Sequence, residues 1–273
     1  MDYLFIDEAG QMSLTDIIAL GSTTKNIVLI GDQLQLGQPL SGSHPGDSGK
    51  SILDYLLEDK DTVPENFGIF LNKTYRLHPK INNFTSPSFY DGKLLTHTNT
   101  KERKINFTKD CLINSGGIHY IQMDHEDNSQ TSKEEFEIIN KLMKQFIGAK
   151  FNDNGKERKL EASDILIVSP YNAQVNFLLE RLVYKGIRVG TIDKFQGQQA
   201  PITIISMTSS DVENLPRNKS FFFSRNRLNV STSRSMVTSI ILFNPKLLDT
   251  APDDYEEMKM LNNYYKLLNY KCN

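Results

Sequence analysis

The sequence predicts an α/β protein with a mostly parallel β-sheet. Short apolar runs rich in Ile, Val and Leu alternate with stretches whose apolar residues recur every three or four positions. This alternation is typical of buried parallel strands connected by amphipathic helices. A length of 273 residues, with 38% hydrophobic and 23% charged residues, is ordinary for a globular protein of one large or two medium domains.

Apolar runs, most of them four to seven residues long, are the predicted strands. They are Tyr3–Ile6, Ile27–Gly31, Gly68–Leu71, Ile118–Met123, Ile165–Ser169, Val189–Ile192, Ile202–Met207 and Ser239–Phe243. Helical spacing of apolar residues predicts helices over Lys133–Ile147 and Asn172–Tyr184, and a further helix is expected from Asp253 onwards. Because strand and helix alternate, a mostly parallel sheet is expected.

Polar segments suggest where the domains divide. Gly37–Gly49 is rich in Gly, Pro and Ser and is predicted to be a loop. The stretch Thr96–Ser115 is polar and poorly periodic, so a domain boundary is expected near its end. We therefore predict a first domain over residues 1–114, a second over 115–250, and a helical tail over 251–273. Another polar segment, Asp211–Arg225, interrupts the second domain.

Composition also excludes several classes of protein. No apolar run approaches the roughly 20 residues that span a bilayer, and the amino terminus lacks the basic region of a signal peptide. A cytoplasmic or nuclear protein without a membrane partner is therefore expected. Cys111 and Cys272 are far apart and are expected as reduced thiols. The five histidines show no metal-ligand spacing, and the net charge of −2 gives no global basic field, although a neutral protein can carry a basic groove.

Acidic and glutamine side chains follow the first two predicted strands. Asp7 and Glu8 come directly after the first strand, which would place them at the carboxyl end of a parallel sheet, where ligands of this fold class bind. There Asp7 could hold a magnesium ion, usually through a water, and Glu8 could polarise the water that attacks a γ-phosphate. A glutamine after the second strand, such as Gln35, could contact the same phosphate. Taken alone, each motif is more simply a strand followed by a solvated turn.

Two arginines occur in separate motifs. Arg76 lies in LNKTYRLHP, before a proline-punctuated turn, and Arg234 lies in LNVSTSRS, on a predicted helix that leads into Ser239–Phe243. The planar guanidinium group of arginine can bind two phosphate oxygens at once. Taken alone, each arginine is more simply a surface charge.

Six motifs follow one another along the chain: DEAGQ, GDQLQL, TYRLHP, PYNAQ, TIDKFQGQ and NVSTSR. This succession resembles motifs II, III, IV, IVa, V and VI of superfamily 1 helicases. It is most similar to the 1B branch, which includes the nonsense-decay RNA helicases and the DNA replication helicase-nucleases. The resemblance extends from about Leu4 to Asn244. It implies tandem RecA-like P-loop NTPase domains with ATP bound between them, the first domain incomplete and the second complete.

The resemblance also implies a role for each motif residue, with ATP and Mg²⁺ as cofactors. The implied catalytic residues are Glu8, Gln35, Arg76 and Arg234, and Asp7 is the implied magnesium ligand. The residues implied to bind the nucleotide are Asp7, Asp32, Tyr171, Gln174, Gln196, Gly197 and Gln199. Gln199 stands where the family usually has an acid, so its contact with a ribose hydroxyl would lack charge assistance.

A single strand of DNA or RNA is the implied partner of a protein expected to be monomeric. Candidate contacts with the strand are Asp193, Thr208, Ser209 and Arg225. The aromatic run Phe221–Arg225 could stack on bases, and packing of a loop or a protein-partner site is the alternative interpretation. In the family, the motif that contains Asp193 communicates between nucleotide and nucleic acid.

The glycine-rich phosphate-binding loop (Walker A) of such helicases is not recognisable in this sequence. GDSGKS, at Gly46–Ser51, has His44 where that loop needs a glycine, so a loop entering a helix is expected there. The chain alone should therefore bind ATP poorly and turn it over negligibly. We expect a fragment of an ATP-dependent helicase completed by an upstream half in the same parent chain. The alternatives are one half of a split helicase completed by another chain, and a nucleic-acid-binding or regulatory module without the loop.

Overall fold

The computed structural model describes residues 1–38, 42, 44–108 and 110–270. The backbone forms two compact units: unit 1 comprises Met1–Leu71 and Phe89–Asp91, and unit 2 comprises Asn72–Ser88 and Gly92–Asn273. The units therefore divide near residue 71, whereas the sequence suggested a boundary near 114. The assignment of RecA-like domains to residues 1–114 and 115–250 remains a prediction.

Unit 1 is built on a pair of parallel strands. Its elements are β1 (Tyr3–Ile6), α1 (Leu14–Gly21), β2 (Asn26–Leu29) and α2 (Ile52–Leu57). Both helices begin at a serine, Ser13 for α1 and Ser51 for α2, whose hydroxyl accepts a hydrogen bond from a backbone N–H in the first turn. The core between strands and helices consists of Ile6, Ala9, Ile17, Ile52, Leu53 and Leu57.

The remaining elements belong mainly to unit 2. In chain order they are β3 (Lys73–Thr74), α3 (Pro79–Phe89), β4 (Leu95–Thr96), β5 (Lys104–Asn106), β6 (Gly117–Gln122), α4 (Lys133–Phe146), β7 (Lys150–Asp153), β8 (Lys156–Lys159), β9 (Ile165–Val168), α5 (Asn172–Arg181), β10 (Arg188–Gly190), β11 (Ala200–Ser206), α6 (Lys219–Phe222), α7 (Arg225–Ser233), β12 (Ser235–Phe243) and α8 (Tyr255–Leu268). Short 3₁₀ turns connect several of them. The helix expected from Asp253 is present as α8.

Five strands of unit 2 form one sheet in the order β10-β9-β11-β12-β6, and every neighbouring pair is parallel. All residues of β9, β11 and β12 are buried, as expected for strands covered on both faces. On α4, a stripe of fully buried residues packs into the core of this sheet, namely Ile139, Leu142, Met143 and Phe146. The predicted α/β class with a parallel sheet is confirmed.

One predicted strand is absent from the structure, and one hairpin of the structure was not predicted. The predicted strand Gly68–Leu71 is wrong, because these residues form no strand and the side chains of Ile69 and Leu71 are 86% and 78% exposed. A hairpin of β7 and β8, which was not predicted, turns at Asn154 and Gly155, with φ values of 55° and 86°. Asn-Gly is the dipeptide that favours this left-handed two-residue turn.

Several general expectations can be compared with the described part of the chain. No helix there is long and apolar enough to cross a membrane. Cys111 is a buried free thiol, whereas Cys272 lies outside the described residues, as does part of the predicted loop Gly37–Gly49. The described His, Cys, Asp and Glu side chains form no group of three or more that could hold a metal ion by itself.

Candidate functional site

The carboxyl end of β1 carries two exposed acids, Asp7 and Glu8. Glu8 has φ 53° and ψ 40°, a left-handed conformation that is unfavourable for a residue with a side chain. Asp7 Oδ1 accepts a hydrogen bond from the Glu8 backbone N–H at 2.9 Å, and Gln11 Nε2 donates to Glu8 Oε2 at 3.2 Å. The turn therefore presents both carboxylates to solvent, with Gln11 orienting the second.

Two glycines let the turns that follow β1 and β2 approach closely. A Cβ at Gly10 would lie 2.5 Å from the carbonyl oxygen of Asp32, and a Cβ at Gly31 would lie 2.8 Å from the backbone nitrogen of Ala9. The obstructing atoms belong to the backbone, so a side chain at either position would push the two turns apart. The DEAGQ and GDQLQL motifs therefore meet at one edge of unit 1, because these two positions are glycines.

Asp32 shapes the turn that carries Gln35. Its Oδ1 accepts from Leu34 N at 3.0 Å, its Oδ2 accepts from the Tyr90 hydroxyl at 2.7 Å, and its backbone carbonyl accepts from Gln35 N at 3.3 Å. These bonds use both carboxylate oxygens within unit 1. Direct contact of Asp32 with a nucleotide remains a prediction.

In unit 2, Arg76 and Arg234 contact neighbouring residues of one short segment. Arg76 Nε donates to Gln199 Oε1 at 3.0 Å, and Arg234 Nη1 donates to the carbonyl oxygen of Gln198 at 3.4 Å. Arg234 is 2% exposed and ends α7. The two arginines, far apart in the sequence, therefore contact adjacent residues, Gln198 and Gln199, that lie just before β11.

A further arginine fixes the backbone at Arg76. Arg103 Nη1 donates to the carbonyl oxygens of Tyr75 and Arg76 at 3.0 and 2.8 Å, and Arg103 Nε bonds Asp153 Oδ1 at 2.9 Å. Side-chain exposure at this ion pair is 13% for Arg103 and 39% for Asp153. Arg103 thus holds TYRLHP against the hairpin, a role that the sequence did not indicate.

The segment 193–199, which contains the FQG motif, is tied to α7 at both ends. At one end Arg227 Nη1 lies 3.3 Å from Asp193 Oδ2. At the other end Arg234 bonds Gln198 and Ala200 N donates to Arg234 O at 3.1 Å. The segment and the helix are therefore linked near both of their ends.

Two predicted nucleotide-binding residues of the FQG motif have different environments. Gln196 is half-buried, and its Nε2 is buried without an acceptor among the described residues. Gly197 adopts φ 75°, a left-handed conformation that favours glycine. A buried donor without an acceptor fits a polar ligand at this turn, since unsatisfied buried donors are costly.

The predicted residues of PYNAQ lie inside unit 2. Gln174 is fully buried; its Oε1 accepts from Ser132 N at 2.9 Å and its Nε2 donates to Ser206 Oγ at 3.1 Å. The Tyr171 hydroxyl lies 3.2 Å from Ser209 Oγ, and burial raises the pKa of Tyr171 to about 12. In this structure both side chains hold neighbouring segments together, and their contact with a nucleotide remains a prediction.

The predicted nucleic-acid contacts occupy varied environments. Thr208 and Ser209 are fully buried after β11, Ser209 Oγ donates to Ser129 O at 2.7 Å, and Thr208 has φ 74°. Arg225 Nη2 donates to Ser88 O at 2.8 Å, whereas Asp193 is exposed beside Arg227. For Thr208 and Ser209 to contact a bound nucleic acid strand, the turn that follows β11 would have to open.

Glu135 of α4 holds the turn that follows β11 in place. Its side chain is fully buried and accepts from Thr208 N at 2.9 Å and from the Ser206 hydroxyl. His125 Nε2 lies 3.5 Å from Glu135 Oε1, and His125 Nδ1 is 2.8 Å from Ser210 Oγ. Burial raises the pKa of Glu135 above its ordinary value, although these partners oppose the shift. The network was not recognisable from the sequence because its members come from separate segments.

The free energy of unfolding of the wild type should fall as pH rises from about 4.5, the ordinary pKa of glutamate, towards neutrality. We expect this fall to be smaller in the Glu135→Gln variant. With its folded pKa raised, native Glu135 binds more protons than unfolded Glu135 in this window, so the wild-type free energy of unfolding falls as pH increases. The glutamine of the variant cannot titrate. Urea unfolding of both proteins at pH 5 and pH 7 measures the difference, and parallel pH profiles would contradict it.

Comparison with known proteins assigns the family. A family model described as AAA domain matches residues 49–246, which is more than half of the chain. This chain belongs to the AAA domain family. Its relatives agree with the predicted resemblance to superfamily 1B helicases, which is thereby confirmed.

Three similar proteins illustrate the relationship. DNA polymerase alpha-associated DNA helicase A of Schizosaccharomyces pombe is 32% identical over 85% of this chain and 36% of that protein. Regulator of nonsense transcripts 1 homolog of Arabidopsis thaliana is 29% identical over 91% of this chain and 20% of that protein. DNA replication ATP-dependent helicase/nuclease dna2 of S. pombe is 27% identical over 88% of this chain and 18% of that protein. This chain therefore spans only a minor part of the length of each of the three relatives.

Proposed function

We propose that this chain supplies the catalytic and coupling residues of a helicase that uses ATP hydrolysis to move along single-stranded DNA or RNA. The observation that carries the proposal is that Arg76 and Arg234 bond adjacent residues, Arg76 Nε to Gln199 Oε1 at 3.0 Å and Arg234 Nη1 to Gln198 O at 3.4 Å. Two guanidinium groups held close to one short segment can neutralise the charge of a transferring phosphoryl group.

The acids of unit 1 suit the binding of the magnesium ion and the activation of the attacking water. Asp7 and Glu8 are exposed carboxylates at the end of β1, and carboxylate oxygens are ligands that Mg²⁺ accepts. We assign Asp7 to the ion and Glu8 to the attacking water, with Gln35 as a polar contact of the γ-phosphate. The magnesium ion would bring charge neutralisation of the phosphates when it is bound.

Coupling would follow from the double connection between segment 193–199 and α7. A change at the Arg234 end, where the γ-phosphate is proposed to act, would be transmitted to Asp193 and Arg227, because both elements are tied at each end. Loss of the γ-phosphate removes a charged ligand from the arginines, a local event of the kind that drives switching in other nucleotide hydrolases.

The phosphate-binding loop is proposed to come from a segment outside these 273 residues, in the same protein or in a partner. Gly46–Ser51 does not offer it: Ser51 caps α2, and Lys50 pairs with Asp47 at 2.8 Å. On one face of the β1–β2 pair, Tyr3 and Phe5 are 62% and 66% exposed. Parallel sheets are normally covered on both faces, which supports further structure of the same domain on that face.

The test is ATP hydrolysis by a fusion of this chain to a related segment that contains the phosphate-binding loop. We expect hydrolysis that oligo-dT or oligo-U stimulates, because the fusion would bring together the loop, the acids and the arginines. The 273-residue chain alone, and a fusion in which the lysine of the added loop is replaced by alanine, serve as controls. A folded fusion that binds ATP but shows no strand-stimulated hydrolysis would contradict the proposal.

A further inference from the structure

The aromatic run before α7 divides into a buried pair and one ring in contact with two cations. Phe222 and Phe223 are 3% and 0% exposed and belong to the interior. Phe221 is half-buried, and the guanidinium carbons of Arg217 and Arg227 lie over its ring at 4.2 and 4.1 Å from the centroid. Phe221 is therefore the member of the run that brings two positive charges together.

The charges at this ring are incompletely neutralised. Arg227 is 3.3 Å from Asp193, but none of the described carboxylates forms an ion pair with Arg217, which is exposed. Both guanidinium groups lie over one ring, so they are closer together than about 10 Å, the screening length at moderate salt. Attraction to the ring holds each cation in place, while their mutual repulsion favours the binding of an anion nearby.

The cluster also lies where a nucleic acid strand bound to unit 2 could influence segment 193–199. Asp193 follows β10 directly, near the carboxyl end of a parallel strand, where ligands of α/β folds bind. Arg217 lies in the connection between β11 and α6, and the ring of Phe221 joins it to Arg227, the partner of Asp193. Arg217 is close enough to Tyr171 for its charge to oppose the rise that burial causes in the tyrosine pKa. Through Asp193, the cluster connects directly with segment 193–199.

We propose that Arg217, Phe221 and Arg227 form a binding site for the sugar-phosphate backbone of single-stranded nucleic acid. Arg217 and Arg227 bind phosphate oxygens, and Phe221 keeps both guanidinium groups in place. This inference rests on the proposed function and specifies where unit 2 contacts its strand. It differs from the contact first expected at Arg225, whose Nη2 donates to Ser88 O.

Equilibrium binding of labelled oligo-dT and oligo-U to the 273-residue chain, followed by anisotropy over a range of salt concentrations without ATP, tests this site. Arg217→Ala should weaken binding several-fold at low salt and reduce the slope of log K against log salt by about 0.7, the value for one phosphate contact on a single strand. Arg217→Lys should retain most of the slope, because the charge remains. Phe221→Leu should weaken binding less than Arg217→Ala, since the charges remain but lose their common support.

Arg181→Ala is the matched control, because Arg181 is also an exposed arginine over a phenylalanine, 3.9 Å from the centroid of Phe177. It should bind like the wild type. Equal affinity and slope for Arg217→Ala and Arg181→Ala would overturn the site, as would a wild-type chain that binds neither oligonucleotide. Because binding is measured without ATP, the expected loss in Arg217→Ala combined with an inactive fusion would reject the proposed function but keep this site.

Discussion

Arg234→Ala is expected to lower strand-stimulated ATP hydrolysis by about 10³–10⁵-fold, the range for removal of an arginine that stabilises the transferring phosphoryl group. Arg234 is held at the end of α7 and bonds the carbonyl oxygen of Gln198 at 3.4 Å. Its planar fork can bind two phosphate oxygens, which alanine cannot do. The rate is measured in the fusion that contains the phosphate-binding loop, with ATP and the single-stranded oligonucleotide both at saturating concentration.

The control must separate lost chemistry from lost folding, because Arg234 is 2% exposed. Thermal unfolding of Arg234→Ala should therefore be recorded beside its rate, together with Arg234→Lys, which keeps the charge but lacks the fork. We expect the lysine variant to fold and still lose most of the activity. A folded alanine variant with near wild-type turnover would remove Arg234 from the proposed chemistry.

Glu8→Gln is expected to lower the rate of hydrolysis by about 10²–10⁴-fold, the usual contribution of a positioned acid–base group. The change preserves shape and leaves an oxygen that can accept the bond from Gln11 Nε2, now 3.2 Å from Glu8 Oε2. ATP binding should therefore persist while the single-turnover rate falls. Binding of a labelled ATP analogue and single-turnover hydrolysis measure the two effects separately.

Glu58→Gln is the matched control for Glu8→Gln. Glu58 is an exposed glutamate of the same unit and has φ 52°, close to the 53° of Glu8. It ends α2, and we assign it no role in hydrolysis. Equal rates for the two variants would show that the position of Glu8 is not special.

Most of the sheet could be predicted from the sequence, because buried parallel strands have a strong local signature. The runs around β9, β11 and β12 are continuous and β-branched, and the structure buries them completely. Gly68–Leu71 has a similar composition but is exposed, because an apolar run of four residues does not reveal whether a partner strand exists. The hairpin turn at Asn154 and Gly155 did have a local signal, the Asn-Gly dipeptide.

The motifs identified the family, but not how its polar residues are used. The bond between Arg76 and Gln199 joins positions 123 residues apart, which one sequence cannot reveal. Gln174, Thr208 and Ser209 are polar and lie in or near motifs, so they were expected to contact ligands. In the structure they are buried and bonded to neighbouring segments, and their contact with ligands remains a prediction. Sequence shows that such groups need partners but does not show whether the partners are ligands or protein atoms.

The central claim is that Arg76 and Arg234 act together on one phosphoryl group. A double-mutant cycle in the active fusion tests it directly, with strand-stimulated hydrolysis measured for Arg76→Ala, Arg234→Ala and the double variant. We predict a large loss in each single variant and a loss in the double variant close to that of the more damaging single one, as for residues that act as a unit. Losses that multiply independently, or a single variant that retains wild-type turnover, would contradict the claim.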